Sequence, residues 1–483
     1  MKFNNILLLW SFVLSVAVAV HPFAKNWENI EYSKTIDVAK SFSKEKHIIK
    51  VKNINTEPSK QYIFAVPKDV KKHITLVVGL YQTPAGKNSL LQPKAMPISD
   101  DDLVYYMLEL PYPIAPGSQF DFAISYIITN QFTPYPEFIE MEDNQVLKLS
   151  TNAYPLSPYD TQSYELIFSH IREYQELNAN SFTHDLVKSE IGSSAVKYSS
   201  TSAIPANSLF TLDVTFVKNA PLPFINYLKR DLWVSHWSGV LQLVEYYELT
   251  NHAAKLSKGF SRAKYLASGI ASKLHHCIAV LRIPFDKSKK IEENSMYYVD
   301  KVGNVSTSQF NSNELLIRPR FPIFGGWHYN FTIGWDYALN QFVRQNNEEY
   351  ILKANILDGI YDATYDQVEL NVYLPEGAEI IDYALPFGID EPTISHETSY
   401  LDVGTGHTRI TFRIENLIDE MKNLVVVLRY RYTTYAMFYK PLQASFYIFL
   451  ALMGLYILKK IDISIKPQKK EETENVIISE AVN

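Results

Sequence analysis

Two short runs contain residue types that bind metal ions: His-His-Cys at 275–277 and Asp-Asp-Asp at 100–102. Zinc sites combine ligand pairs at set spacings, and no second pair follows residues 275–277. Adjacent residues of a strand would also point to opposite faces. The ligand spacing of a calcium loop is missing after residues 100–102. The sequence therefore predicts no metal site and no other cofactor site.

Sequence motifs for catalysis are missing as well. The chain contains neither the G-x-S-x-G turn of serine hydrolases nor the H-E-x-x-H motif of metalloproteases. Gly404-Thr405-Gly406 lacks the third glycine of a dinucleotide-binding loop and lies between β-type segments, which predicts a hairpin loop. We therefore predict no catalytic residue in this chain.

Two N-x-S/T sequons indicate a different chemistry, the attachment of an oligosaccharide to an asparagine amide. Asn304 is followed by Val-Ser, and Asn330 is followed by Phe-Thr. A glycan is bulky and hydrophilic, so a used sequon requires a surface position. We predict N-glycosylation at both asparagines, and the alternative is that a sequon stays unused.

The N-terminus has the pattern of a secretory signal peptide. Lys2 precedes an apolar run at 6–16, and Ala-Val-Ala at 17–19 is the small-x-small pattern of a cleavage site. The run is too short to span a bilayer. We predict cleavage after Ala19, with an uncleaved anchor as the alternative.

A second apolar segment lies near the C-terminus. Residues 442–458 carry no charge and would form roughly 25 Å of helix, the lower limit for a membrane span. Pro441 suits the first turn of such a helix, and Lys459 and Lys460 follow it on the predicted cytosolic side. Three aromatic residues precede the segment where an interfacial belt would lie: Tyr435, Phe438 and Tyr439.

The composition indicates the class of protein that the chain forms between these two apolar segments. Hydrophobic residues make up 47% and charged residues 20%, which is typical of globular domains rather than disorder. The net charge is −6 with both signs mixed, so no basic stripe indicates a nucleic-acid partner. Cys277 is the single cysteine and cannot form an intramolecular disulfide; it is either a buried thiol or pairs with another chain.

Alternation of apolar and polar residues predicts the fold class. It is clearest at residues 122–128, 210–216, 368–374, 410–415 and 426–432. Proline and glycine clusters separate these segments. We predict a mostly β protein with two lumenal antiparallel β-sandwich-like domains, one C-terminal transmembrane helix and a short cytosolic tail.

A Pro-rich segment near residue 220 predicts the boundary between the two domains. Their similar sizes suggest a duplicated sandwich, although no internal sequence repeat is recognisable. Four tryptophans of the second domain are either core residues or faces that stack on a sugar or a partner: Trp233, Trp237, Trp327 and Trp335. The predicted segments are a signal peptide at 1–19, domains at 20–223 and 224–434, a transmembrane helix at 441–459 and a tail at 460–483.

Several longer motifs of the second half resemble the ribophorin I family, the subunit 1 family of the oligosaccharyltransferase complex. The ordered matches run from about residue 234 to residue 378. Ser238-Gly239 departs from the Gly-Asn that commonly follows His-Trp in the family. The motifs are VSHW at 234–237, EYYEL at 245–249, KGFSR at 258–262, YYVD at 297–300, GNVSTS at 303–308, PRFPIFGGW at 319–327 and VYLPEGA at 372–378.

The resemblance implies a non-catalytic subunit of the enzyme that transfers a preassembled oligosaccharide from dolichyl diphosphate to asparagine in the endoplasmic reticulum. It implies a scaffold or substrate-handling role, a type I single-pass topology and a lumenal bulk. The implied partners are the other complex subunits, including the multi-span catalytic one, nascent polypeptides and the lipid bilayer. The alternatives are a single-pass receptor or adhesion protein and a membrane-anchored hydrolase.

Overall fold

The computed structural model describes residues 25–461, except 84–85, 100–101, 179–181, 193, 270–274, 293, 312, 387–390, 400–401 and 403. The predicted signal peptide, its cleavage site after Ala19 and the tail beyond residue 461 lie outside the described residues. The predicted β class is confirmed, because strands dominate both halves of the chain.

Among its described residues, the first half contains sixteen strands and one short helix, α1 at Lys68–Lys71. The alternation that predicts a strand near residues 122–128 corresponds to a strand in which every second side chain is buried. In chain order the strands are β1 Trp27–Asp37, β2 Ser43–Asn53, β3 Ser59–Pro67, β4 Ile74–Gln82, β5 Asn88–Leu91, β6 Pro93–Ser99, β7 Leu103–Ile114, β8 Gln119–Ile128, β9 Thr133–Pro134, β10 Phe138–Ile139, β11 Val146–Asn152, β12 Thr161–Ser169, β13 Gln175–Glu176, β14 Leu186–Ile191, β15 Ala195–Ser200 and β16 Thr211–Val217.

The second half also contains sixteen strands, together with α2 at Arg262–Ala267 and the C-terminal α3 at Thr434–Lys460. Two short 3-10 turns lie at Leu339–Gln341 and Asp419–Asn423. In chain order the strands are β17 Pro223–Ser235, β18 Val240–Asn251, β19 Lys255–Leu256, β20 Leu281–Pro284, β21 Tyr297–Asp300, β22 Gly303–Asn304, β23 Gln309–Asn311, β24 Glu314–Ile317, β25 His328–Ala338, β26 Val343–Asn346, β27 Glu349–Asn355, β28 Thr364–Leu374, β29 Glu379–Ala384, β30 Thr393–Glu397, β31 His407–Ile418 and β32 Val425–Arg431.

The two halves repeat one topology. The large sheet of the first half has the order β14-β15-β12-β1-β2-β8-β4-β5, and that of the second half has the order β30-β31-β28-β17-β18-β25-β21-β22. The smaller sheets correspond in the same way: β3-β7-β6 with β20-β24-β23, and β13-β16-β11-β9 with β29-β32-β27-β26. In each large sheet one central pair is parallel, β1 with β12 and β17 with β28, while the remaining pairs are antiparallel as predicted.

The repeat extends to individual residues. Asn53 and Asn251 end the second strand of their sheets, opposite the first residue of β1 and of β17. Both are fully buried, and each side-chain amide donates to two backbone carbonyls. Each Oδ1 also accepts the N–H two residues further along the chain. Equal roles at equal positions identify a tandem structural duplication, although the sequence has no recognisable internal repeat.

Among the described residues, the short β10–β19 pair is the one sheet that combines strands of both halves. The remaining contacts between the halves are side-chain contacts. Phe42 packs into the core of the second half, Lys40 Nζ lies 2.7 Å from Asp419 Oδ2, and Asn416 Nδ2 donates to the Lys72 carbonyl at 2.7 Å. The sheets divide near the predicted boundary, and the boundary at 223/224 itself stays a prediction.

The C-terminal helix differs from its predicted bounds. It begins at Thr434, where the Thr433 side chain accepts the Ala436 N–H, so the prediction of Pro441 in the first turn was wrong. A hydroxyl cap at residue 433 and helix-compatible residues at 434–440 extend the helix toward the sheets. None of its residues is buried, and it is the one described helix long and apolar enough to cross a membrane.

Helix α2 has six residues, and residues 270–274 after it are outside the described part. Residues 275–277 lie in a loop rather than in a strand, so the strand geometry used against a metal site does not apply.

Candidate functional site

A cleft of about 720 Å³ opens between the layers of the first half. A volume in this range is typical of ligand-binding pockets. Its walls carry apolar side chains, and its rim carries hydroxyl, amide and charged groups. The residues that line the cleft include Lys34, Glu45, Tyr126, Ile128, Thr151, Leu209, Phe210 and Thr211.

A buried ion pair forms the base of the cleft. Lys34 on β1 and Glu45 on β2 place Nζ and Oε2 3.2 Å apart, and both side chains are almost completely buried. Lys34 Nζ also donates to Thr151 Oγ1 at 3.0 Å and to the Asn152 carbonyl at 3.4 Å. Tyr126 Oη donates to Glu45 Oε2 at 2.9 Å. The two charges therefore neutralise each other, and the ion pair presents no net charge to a ligand in the cleft.

The electrostatics of this buried ion pair do not favour acid–base chemistry near neutral pH. Burial raises the pKa of Glu45, but Lys34, His47 and Tyr126 together outweigh it and lower the pKa to about 2. Burial lowers the pKa of His47, which lies between the hydroxyls of Tyr32 and Tyr126 at 3.0 Å from each. A general base works best with a pKa near the working pH, and a carboxylate with a pKa near 2 is a weak base.

The second half has the same site in a filled form. Arg230 occupies the position that Lys34 has in the first half. Arg230 lies opposite Leu370 of the parallel neighbouring strand, and Lys34 lies opposite Leu166. The Arg230 guanidinium lies 2.7 Å from Asp358 Oδ2 and also contacts Glu245. The remaining cavity measures about 10 Å³ and is lined by residues that include Tyr337 and Phe342.

The run at 275–277 is packed into the interior of the protein. His275, His276 and Cys277 are buried, and His275 Nε2 hydrogen-bonds the Met141 carbonyl at 2.7 Å. Cys277 is a buried free thiol that packs with Tyr265, and burial raises its pKa to about 11. Within the described ranges no group of three or more His, Cys, Asp or Glu side chains is arranged to hold a metal ion.

The two sequons lie in different environments. Asn304 ends the short strand β22 and is exposed, and Ser306 of its sequon is also exposed. Asn330 lies within β25, is half-buried, and donates from Nδ2 to Tyr246 Oη at 3.0 Å. The geometry favours modification at Asn304 over Asn330, and both stay predictions.

The four tryptophans also separate into different roles. Trp335 is fully buried, whereas Trp327 packs half-buried against Phe260 and Phe324. Trp233 stacks on Tyr373 with ring centroids 3.8 Å apart. Trp237 is 57% exposed at the tip of the β17–β18 hairpin. Core packing therefore fully accounts for Trp335, whereas Trp237 is the one tryptophan of the four that is largely exposed.

The sequence reasoning did not find the cleft. A signal was present, because Lys34 follows the alternation of β1 and falls on the buried face with Tyr32 and Ile36. A lysine at an inward position of a strand indicates a buried charge that requires a partner.

The comparisons with known proteins cover both halves and the helix. The Ribophorin I family model matches residues 27–459. The dolichyl-diphosphooligosaccharide–protein glycosyltransferase subunit 1 of Caenorhabditis elegans is 26% identical over 96% of this chain and 78% of its own length. Subunit 1B of Arabidopsis thaliana is 26% identical over 95% of this chain and 98% of its own, and subunit 1B of rice is 28% identical over 90% and 92%. A solved structure of native yeast LTA4 hydrolase has a TM-score of 0.26 at 8% identity, over 41% of this chain and 30% of its own.

Proposed function

Since this chain belongs to the ribophorin I family, we propose that it is a non-catalytic subunit of the oligosaccharyltransferase complex. The complex N-glycosylates asparagines of nascent proteins by transfer of an oligosaccharide from dolichyl diphosphate. The observation that carries the proposal is a family match that continues through both halves into α3. Relatives named as subunit 1 of this glycosyltransferase cover nearly the whole chain.

The proposed location is the endoplasmic reticulum membrane, with a single type I span and both β halves in the lumen. Three features support this topology: the signal-like N-terminus, the apolar helix α3, and the lysine pair that ends it. On this topology Asn304 and Asn330 lie in the compartment where N-glycans are attached, and we propose the exposed Asn304 as the better acceptor.

We place the transfer chemistry in a separate multi-span subunit and assign this chain a scaffold and substrate-handling role. The cleft of the first half supports a role in contacting nascent polypeptide. The buried charges of Lys34 and Glu45 neutralise each other, and the rest of the lining combines apolar side chains with hydroxyl, amide and a few charged groups. Such a surface suits an extended stretch of polypeptide, which offers both backbone polar groups and apolar side chains.

Depletion of the chain in cells tests the function. We expect lower sequon occupancy across many glycoproteins, together with loss of a stoichiometric complex that carries the transferase activity. Full occupancy after depletion would contradict the proposal. Recovery of the chain as a free monomer with its own turnover would instead support a membrane-anchored hydrolase, and residence at the plasma membrane would support a receptor or adhesion protein.

A further inference from the structure

The tip of the β17–β18 hairpin contacts the C-terminal helix just where that helix leaves the protein. Trp237 is 57% exposed, and its Nε1 donates to the Met437 carbonyl at 2.9 Å. Its ring meets the ring of Phe438 edge-on, with centroids 5.7 Å apart. An exposed tryptophan is therefore held at a fixed height along α3.

Pro441 explains why the Met437 carbonyl is available. In an α-helix this carbonyl would accept the N–H of the residue four positions later, which is Pro441. Proline has no N–H, so the helix itself leaves the carbonyl without a donor. The indole N–H of Trp237 supplies that donor.

Other contacts hold the same turn of α3 against the second half. Lys440 Nζ lies 3.7 Å from Glu376 Oε2 and also contacts Asp402. Gly377 faces Ala436 so closely that an added Cβ would lie 3.0 Å from the alanine Cβ. The first two turns of the helix are thus docked, whereas residues 444–460 are all exposed.

The length of α3 sets the depth of these contacts. A hydrocarbon core of about 30 Å requires about 20 helical residues. Counting about 20 residues back from the lysine pair at 459–460 places the hydrocarbon boundary near Lys440 and Pro441. Met437 then lies about 6 Å outside the boundary, and the headgroup region on each side is about 5–8 Å thick.

We propose that Trp237 is an interfacial anchor that lies among the phospholipid headgroups and carbonyls and seats the second β half on the bilayer surface. This inference rests on the proposed membrane span of α3. Tyr435, Phe438 and Tyr439 of the helix reach the same zone, so the hairpin tip adds a second point of attachment at some distance from the helix axis. Two points of attachment restrict the tilt of the β halves relative to the membrane.

The surroundings of the tip suit a lipid interface. Tryptophan combines an apolar ring with one polar N–H, a combination enriched at membrane interfaces. The next two residues, Ser238 and Gly239, are small, uncharged and exposed. His236 hydrogen-bonds Tyr430 Oη at 2.8 Å, and burial lowers its pKa to about 4, so it is neutral. The hairpin tip brings no net charge to the membrane surface.

Site-specific photo-crosslinking in the full chain within its native membranes tests the proposal. A photoreactive residue replaces Ser238 beside Trp237, and two reference positions accompany it: Phe446 inside the span and Ser118 in an exposed turn of the first half. We expect phospholipid adducts from positions 238 and 446 and none from position 118.

The outcomes separate the anchor from the span. No lipid adduct at either 446 or 238 would mean that the span itself is wrong. Lipid adducts at 446 with none at 238, or adducts at 238 to another polypeptide alone, would overturn the anchor and leave the span intact. Trp237→Ala should reduce the lipid adducts at 238 several-fold with those at 446 unchanged, and an unchanged yield at 238 would also overturn the anchor.

Discussion

The two halves share one sheet topology but differ in what lies between their layers. A buried cation stands at the same position in both, Lys34 in the first half and Arg230 in the second. Beside Lys34 the layers enclose a cleft of about 720 Å³, whereas beside Arg230 about 10 Å³ remains. The difference shows that the repeated fold provides a place for a ligand, and that individual side chains decide whether the place stays open.

The residues that fill the second site can be identified from the register of the strands. Ile128 of β8 pairs with Ser43 of β2, and its counterpart Tyr337 pairs with Leu241 of β18. Ser43 and Leu241 correspond because they lie equally far before the equivalent asparagines of the two strands. Asp358 approaches Arg230 from the segment after β27, and Phe342 closes the remaining space. The second half therefore gains a packed core at this site, and the first half keeps an accessible surface.

The largest predicted effect comes from removal of the two buried cations. Arg230→Met leaves two buried carboxylates, Glu245 and Asp358, without their common partner, and Lys34→Met leaves only Glu45. Breaking a buried pair costs about 3–5 kcal/mol, so we expect Lys34→Met in this range and Arg230→Met at or above its upper end. Urea unfolding of the detergent-solubilised chain measures both losses in the free energy of unfolding. A larger loss for Lys34→Met than for Arg230→Met would contradict the comparison.

Cavity-forming substitutions should also separate the halves. Phe342→Ala removes a buried ring from the filled site and should cost about 3–5 kcal/mol. Leu209→Ala removes a half-exposed side chain from the rim of the open cleft and should cost about 0.5 kcal/mol or less. Equal losses in the free energy of unfolding would show that the cleft is closed in solution.

The shared asparagines provide a prediction of equal effects. Asn53→Ala leaves the buried Ile114 carbonyl without its side-chain donor, and Asn251→Ala does the same to the buried carbonyls of His276 and Ile323. An unsatisfied buried polar group costs about 1–3 kcal/mol, and we expect similar losses at the two positions. A large loss at one asparagine and none at the other would contradict the equivalence of the two halves.

Acidification should have a smaller effect, and the effect should be larger in the second half because burial lowers the pKa of four histidines there and of two, His47 and His73, in the first half. Burial lowers the pKa of His236 and of His252 to about 4 and that of His276 to about 3. Because these values lie below the ordinary 6.5, the stability they contribute is present above about pH 6.5 and is lost as the pH falls toward 4. Hydrogen exchange, corrected for its intrinsic pH dependence, should show weaker protection of the second half at about pH 5 than at about pH 7. Equal or larger weakening of the first half would contradict this.

Much of the strand pattern could be predicted from the sequence, whereas only the similar sizes of the two domains suggested the duplication. Alternation at 122–128 locates a strand with one buried face, and alternation at 368–374 locates a strand in which Asn371 and Tyr373 of the more polar face are buried as well. The repeat is hidden because equivalent positions carry different residues, such as Lys34 and Arg230. The start of α3 could not be predicted, because a proline such as Pro441 is typical of a first helical turn. In the structure Pro441 lies inside the helix, and Trp237 donates the hydrogen bond to Met437 that this proline cannot donate. That contact joins residues 200 positions apart and has no local signature.

The most direct test of the account is sequon occupancy in depleted cells that express a chain with its cleft filled. Thr211 is exposed at the rim of the cleft, so Thr211→Trp should occupy the space without disturbing the core, and Ser189→Trp on the exposed strand β14 is the matched control. With both variants folded and incorporated in the complex, we expect Thr211→Trp to lower occupancy and Ser189→Trp to restore it fully. Full occupancy with Thr211→Trp would contradict a role of the open cleft in handling polypeptide.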